Sequence, residues 1–240
     1  MRVLVIENYA NCPVGLVGTE LERLGCELTV LNVLERDANI PPSATSTFDG
    51  LVVLGGAMGA YDDHDYPNIP IVIELLSDFH RADKPIFSIC LGAQMLARAL
   101  GEPFKSNGAL ELGFIPLTVT AAGASDPIFE HVSPQWSPIE WHSDNFHIPS
   151  GAQLLMSGEA CVNQAFKAGR VSYAFQFHPE IDGPGIQTMV DSLDDNYLEE
   201  IGADGRAALD TMIKEVPKQI DSACSAARQL VVNWHALLKV

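Results

Sequence analysis

The segment P-I-F-S-I-C-L-G-A-Q-M-L-A holds the chain's best-placed nucleophile, Cys90. An apolar run from Ile86 to Ile89 reads as a strand, and Leu91 to Leu100 reads as a helix stopped by Gly101. A cysteine between the two stands on a sharp strand–turn–helix elbow that lifts its side chain above a sheet. The crowded turn needs small residues two places before and two places after, and Ser88 and Gly92 supply them. The unpaired N–H groups and dipole at the helix start favour a thiolate over a thiol. The N–H of Leu91 faces a developing oxyanion in such a turn. The alternative is a buried structural cysteine, the commonest state of a free thiol. Cys12, Cys26, Cys161 and Cys224 lack the elbow context and are read as structural.

A thiolate needs a base or ion-pair partner. Among seven histidines, His178 stands out in Y-A-F-Q-F-H-P-E, an apolar strand ending in His178, Pro179 and Glu180. Side chains two apart on an extended chain share a side. Glu180 is therefore expected to hold one imidazole nitrogen while the other faces the thiol, the logic of a nucleophile–base–orienter triad. His64, His80, His131, His147 and His235 have no comparable context.

The third element is L-V-V-L-G-G-A-M-G-A-Y-D-D. Gly55 and Gly56, at the end of a strand, let backbone N–H groups approach a ligand, and the N–H of Gly56 is the candidate to complete an oxyanion hole with that of Leu91. A tight strand–helix turn is the plainer reading. Neither phosphate-binding glycine pattern is present, so a nucleotide site is not supported.

These residues need a scaffold that brings three strand ends together. Val3–Ile6, Leu28–Val33, Leu51–Leu54 and Ile86–Ile89 read as short buried strands, alternating with helices over Val14–Leu24, Ile69–Ala82 and Leu91–Leu100. Pro41 to Ser46 reads as a loop. The order predicts an α/β fold with a mostly parallel, doubly wound sheet covered on both faces, whose ligands bind at the carboxyl ends of the strands. Phe114–Thr120, two runs within Ala152–Lys167, and Val171–Phe177 read as further strands forming an antiparallel addition.

From Pro184 the pattern is helical. Ile220, Ala223, Cys224, Ala227, Leu230, Val231, Trp234, Leu237 and Leu238 form one stripe. It serves either to pack on its own domain or to receive a partner. Packing is the expectation, because Trp234 and Leu237 are costly to leave in water. The division expected is 1–186 for the α/β domain and 187–240 for a C-terminal helical extension.

The bulk numbers limit the partners. The 240 residues carry 14 basic and 31 acidic side chains, a formal net charge of −17, which repels phosphates and argues against nucleic acid. Apolar residues make up 47%, enough for a well-buried core. No apolar run reaches membrane-spanning length, no signal-peptide pattern opens the chain, and five widely spaced cysteines suggest no disulfide framework and no zinc motif. A reducing cytoplasm is expected.

Gly55-Gly56, S-I-C-L-G-A-Q and F-Q-F-H-P-E, in this order, resemble the motifs of the class I (triad-type) glutamine amidotransferases over roughly Arg2 to Ile186. E-L-G-F at Glu111–Phe114, W-H-S-D-N-F at Trp141–Phe146 and N-Q-A-F at Asn163–Phe166 are similar to a stand-alone subgroup resembling the glutaminase domain of GMP synthase. One departure is Ser88, where the family usually has glycine. The resemblance implies that Gln94 helps hold the amino-acid end of glutamine and that His142, Ser143 and Asp144 line the same pocket. His142 has the alternative of a loop residue capping backbone groups.

The resemblance implies cleavage of a γ-glutamyl amide through a Cys90 thioester, with no cofactor and no metal. Either glutamine is the substrate and a separate synthetase subunit receives the ammonia, or a larger γ-glutamyl compound is cleaved for its own sake. A non-catalytic regulatory module on the same fold is the reading from a different class.

Overall fold

A computed structural model describes residues 1–34, 40–41, 43–102 and 105–239. Its main sheet has nine strands in the order β2-β1-β3-β4-β11-β10-β9-β6-β7. The parallel half comprises β1 (Arg2–Glu7), β2 (Glu27–Asn32), β3 (Gly50–Val53), β4 (Ile86–Ile89) and β11 (Ser172–Phe175). The other half is antiparallel and comprises β10 (Ala165–Ala168), β9 (Gln153–Ser157), β6 (Leu117–Val119) and β7 (Gln135–Trp136). A separate antiparallel pair, β5 (Lys105–Phe114) with β8 (Ile139–Asn145), stands beside the site.

The period of two along a strand divides the core into two layers. Val3, Val5, Val52, Phe87 and Phe175 face one way, against α1 (Gly15–Arg23) and the last half of α8 (Gly202–Leu237). Leu4, Ile6, Leu51, Val53 and Ile86 face the other way, against α3 (Asn68–Arg81) and α4 (Leu91–Ala99). The mostly parallel sheet covered on both faces, with a helical C-terminal extension, is thus observed. The first strands and helices lie within a residue or two of their expected bounds.

The apolar stripe packs on its own chain. Ala223, Cys224, Ala227, Leu230, Val231, Trp234 and Leu238 are buried, and Ile220 and Leu237 are partly so. Trp234 meets Phe87 edge-on with ring centres 5.7 Å apart. A Cβ on Gly50 would lie 2.4 Å from Leu238 and 2.9 Å from Trp234, so the helix sits directly on the start of β3. Burying each large apolar side chain contributes about 1.5–3 kcal/mol, which is why the stripe is covered. α6 (Gly183–Asp191) and α7 (Asp195–Glu200) link β11 to α8. With the first half of α8, through Leu209 and Met212, α6 builds a third apolar cluster against Leu112, Phe114 and Ile139 of the two-stranded sheet.

Two expectations are corrected. The single strand over Phe114–Thr120 is two strands, because Pro116 lacks an N–H and fixes its φ. The chain leaves the two-stranded sheet at Phe114 and enters the main sheet at Leu117. The loop over Pro41–Ser46 runs into a one-turn helix, α2 (Ala44–Thr47), with Pro42 outside the described residues. That turn is closed by Phe48 N–H donating to Ala44 O at 2.9 Å and buries both residues, a packing gain that the polar sequence hides. Another short helix, α5 (Ala121–Ala124), follows β6. No helix among the described residues is long and apolar enough to cross a membrane.

Candidate active site

Cys90 lies between β4 and α4 with φ 50° and ψ −110°, a positive φ on a residue with a side chain. Such a conformation costs on the order of 1–3 kcal/mol and persists only where its surroundings over-determine it. Here the Cys90 N–H donates to Phe175 O at 2.8 Å, and Cys90 O accepts the first helical bond from Gln94 N–H at 3.0 Å. Gly92 has no room for a side chain, since a Cβ there would stand 2.4 Å from Val53 O and 2.9 Å from its carbonyl carbon. Ser88 fits the elbow because its buried hydroxyl donates to Tyr173 O at 2.8 Å.

His178 is held by the two-stranded sheet: its N–H donates to Ile139 O at 2.8 Å. Its Nδ1–H donates to Glu180 Oε1 at 2.7 Å, with both side chains buried. The pairing expected from an extended chain is present, but a turn at Pro179–Glu180 produces it. The backbone of Glu180 is clamped by the start of α1, where Leu16 N–H donates to Glu180 O at 2.8 Å. Gly15, at φ +48°, would place a Cβ 2.3 Å from that same oxygen. The requirement for glycine at position 15 belongs to the site, and the sequence reading missed it.

Gly55 lies between Cys90 and His178. A Cβ on it would meet His178 Cε1 at 3.3 Å and Cys90 Cβ at 3.5 Å, with Cys90 Sγ at 4.0 Å. Burial is the largest influence on the His178 pKa and opposes its charge. The Glu180 carboxylate and the Cys90 sulfur together outweigh it and hold the imidazole well above its ordinary value. Its buried Nε2 makes no hydrogen bond among the described residues, and the Cys90 sulfur lies near enough to act on its charge. Gly56 packs against Leu91, with a Cβ at Gly56 only 2.9 Å from Leu91 Cδ2. The strand end carrying both glycines is tied to β1 by Asn8 Nδ2–H, which donates to Leu54 O at 2.7 Å.

These groups open on a cavity of about 530 Å³, which Cys90, Leu91, Gly56, Gln94, Ser143, Asp144 and His178 line. Gly55 and Glu180 stand behind that lining, against His178. Gln94 is buried, and its Nε2 donates to Asp144 O at 3.2 Å and to Gln176 Oε1 at 3.3 Å.

His142 reaches the cavity wall, but its ring is engaged behind it. Nδ1–H donates to Asp144 O at 2.8 Å, and Nε2–H donates to Glu111 Oε2 at 3.1 Å and lies 3.2 Å from Glu140 Oε2. Burial opposes charge on His142, and the two carboxylates override it, pushing its pKa up to about 10. Glu140, fully buried, is itself raised, by burial before any other cause. The side chain therefore braces the Asp144 carbonyl that also receives Gln94, close to the capping alternative. Glu111, His142 and Cys161 bring ligand atoms within 4.8 Å of one another. Those of Glu111 already accept from His142, from Gln164 Nε2 at 2.7 Å and from Cys161 N at 3.3 Å, which is a hydrogen-bonded network rather than a vacant coordination sphere.

This brace has a pH signature. A histidine whose folded pKa lies near 10, against about 6.5 unfolded, contributes stability that is full below pH 6.5 and is lost as pH rises through 10. The stability gap between the wild type and a His142→Gln variant, from denaturant titrations, should narrow between pH 7 and pH 10. A gap constant over that range would show that His142 is neutral in the fold.

Cys12, read as structural, lines the same cavity as Cys90. Burial, ahead of any charge, pushes its thiol up to about 12, so it stays protonated at neutral pH. A γ-glutamyl diazo-ketone should therefore alkylate Cys90 and leave Cys12 unmodified in a peptide map. Alkylation of Cys12 in preference to Cys90 would contradict this difference in reactivity.

The sheet, the elbow and the buried His–Glu pair meet at the carboxyl ends of the parallel strands. The glutamine amidotransferase class-I family profile matches residues 4–190, and the chain belongs to that family. Among its relatives is the glutamine amidotransferase-like protein YfeJ of Salmonella typhimurium, 29% identical over 154 residues, which are 63% of this chain and 64% of that protein. Another is one of the subunits of the glutamine-hydrolysing GMP synthase of Haloarcula marismortui, 28% identical over 182 residues, covering 75% of this chain and 86% of that one. A glutamine amidotransferase of Thermotoga maritima shares the fold, with a TM-score of 0.82 at 22% identity over 100% of this chain and 99% of that one.

Proposed function

We propose that the protein hydrolyses γ-glutamyl amides, with Cys90 as nucleophile, His178 as acid and base, and Glu180 as the group that orients and charges His178. The observation that carries this reading is the strained Cys90 elbow set beside an imidazole whose far nitrogen is fixed by Glu180 at 2.7 Å. The Cys90 thiolate attacks the γ-carbonyl carbon, and the oxyanion faces the N–H groups of Gly56 and Leu91. His178 Nε2–H gives its proton to the leaving nitrogen as the C–N bond breaks, leaving a γ-glutamyl thioester. Water then attacks the thioester as His178 takes its proton, the C–S bond breaks, and glutamate departs.

Within this reading Gln94, Ser143 and Asp144 receive the amino-acid end of the γ-glutamyl group, Gly55 keeps Cys90 and His178 adjacent, and His142 acts from behind through the Asp144 carbonyl. Residues 1–186 carry the reacting groups, and 187–240 form the extension packed on them. The Haloarcula relative is named as a subunit of a glutamine-hydrolysing synthase, which supports glutamine as substrate with ammonia passed to a separate synthetase subunit. The size of the cavity favours a second reading, a hydrolase of a larger γ-glutamyl compound, because sites of about 300–1,000 Å³ hold ligands well beyond one amino acid. The test is glutamate release from glutamine and other γ-glutamyl amides by the purified chain alone. Release of glutamate supports the reading. Silence toward every amide, with and without a synthetase subunit, would leave the regulatory-module reading in its place.

A further inference from the structure

The C-terminal extension contributes part of the cavity wall: Met189, Leu193, Asp194, Tyr197 and Glu200 all line it. Tyr197 is locked to β8, with Trp141 Nε1–H donating to Tyr197 Oη at 2.6 Å and ring centres 6.4 Å apart. Trp141 belongs to β8. The strand's first residue, Ile139, accepts the His178 N–H, and near its end the Asp144 carbonyl accepts Gln94. Trp141 stands between them, two residues from the histidine's anchor. Trp141, Tyr197 and His178 all line the same cavity, into which a leaving amine would depart.

The charge of this wall has one sign. Among the described residues no lysine or arginine lines the cavity, whereas Asp144, Asp194 and Glu200 do. Both imidazoles nearby, His142 and His178, are already paired with buried carboxylates. If Asp144 meets the amino-acid end, Asp194 and Glu200 remain, with no lysine or arginine among the described lining residues to neutralise them.

From this arrangement we infer that the leaving group of the γ-glutamyl substrate is an alkylamine bearing a second, positively charged nitrogen, in short a γ-glutamyl diamine or polyamine. This deepens the hydrolase reading and rests on it. The methylene chain lies on Met189 and Leu193, and the ammonium lies among the faces of Trp141 and Tyr197 and the carboxylates of Asp194 and Glu200, as cations favour aromatic faces and anions together. The same wall rejects a leaving group that carries a carboxylate, because no described lining residue would neutralise it. Hydrolysis consumes one water, breaks the amide C–N bond, and yields glutamate and the protonated diamine.

The test compares four amides with the purified chain: glutamine, and the γ-glutamyl amides of butylamine, 1,4-diaminobutane and 4-aminobutanoate. The last three share one chain length and differ in charge. kcat/KM for the diaminobutane amide should exceed that for the butylamide by about fivefold or more and that for the carboxylate by still more. The preference should shrink with added salt, since the carboxylates sit at the rim. The doubly substituted Asp194→Asn, Glu200→Gln chain should lose most of it, asparagine being able to keep the helix cap that Asp194 provides to Tyr197 N–H. An equal or inverted ranking would overturn the inference while leaving γ-glutamyl hydrolysis standing. Calorimetry with the Cys90→Ala chain reads the same ranking without chemistry. If no amide is cleaved, the hydrolase reading fails, and the affinities still decide: tighter binding of the diaminobutane amide upholds the cationic subsite, and equal or inverted affinities reject it.

Discussion

Cys90→Ala should lower glutamate release from any γ-glutamyl amide by on the order of 10³–10⁶-fold, the range expected when the nucleophile of a covalent mechanism is removed. Among the described residues the thiol is the only cysteine side chain at the head of a helix on a strained turn, and no second thiol is prepared to replace it. Cys12 shares the cavity, but burial keeps it protonated. The substitution removes one buried atom and keeps the backbone, so the thermal midpoint should change little, and relief of side-chain strain at φ 50° is not expected, because alanine also carries a Cβ. Activity above a few per cent of wild type in a chain with an unchanged fold would mean that the reaction uses another nucleophile.

His178→Ala should cost on the order of 10³–10⁴-fold in kcat/KM, and Glu180→Gln about 10²-fold. The order follows from what each change leaves behind. A glutamine at 180 still offers an oxygen to His178 Nδ1–H, so the ring keeps its place and tautomer. It removes the first of the two influences that raise the His178 pKa, the Glu180 charge, and leaves the second, the sulfur of Cys90. Burial then weighs more heavily against the imidazolium. The protonated ring needed to expel the amine is lost at lower pH than in the wild type, so the alkaline limb of the kcat/KM profile should move to lower pH. Equal losses in the two variants, with no shift of the limb, would assign Glu180 a role other than charging and orienting His178.

Much of this site is legible in the sequence, because its signals are local. The elbow needs small residues at 88 and 92, and a single strand–cysteine–helix string displays them. The structure adds the reasons: the Val53 carbonyl fills the space a side chain at 92 would take, and Tyr173 O satisfies the Ser88 hydroxyl. The histidine and glutamate lie within three residues of each other, so their pairing is also legible, although a turn rather than an extended strand achieves it.

What stays hidden depends on contacts far apart in the chain. Gly15 touches Glu180 across 165 positions, and Trp141 meets Tyr197 across a separation of 56. Neither partner carries a pattern that names the other. The same holds for Glu111, His142 and Glu140, where two strands of the small sheet bury a charge that sequence spacing gives no reason to expect. In the fold, the doubly wound half is legible because its strands are short, apolar and separated by helical patterns. The split at Pro116 escapes notice because the apolar alternation continues on both sides of it, while the hydrogen bonding moves to a different sheet.

The central claim is that a γ-glutamyl group is carried on Cys90, and mass spectrometry of the acid-quenched chain tests it most directly. A γ-glutamyl amide mixed with the purified protein and quenched within a turnover should add the mass of one γ-glutamyl group to the peptide containing Cys90. The adduct should disappear on treatment with hydroxylamine, as a thioester does, and should be absent from the Cys90→Ala chain. Glutamate release without that adduct, or an adduct on any other peptide, would contradict the account.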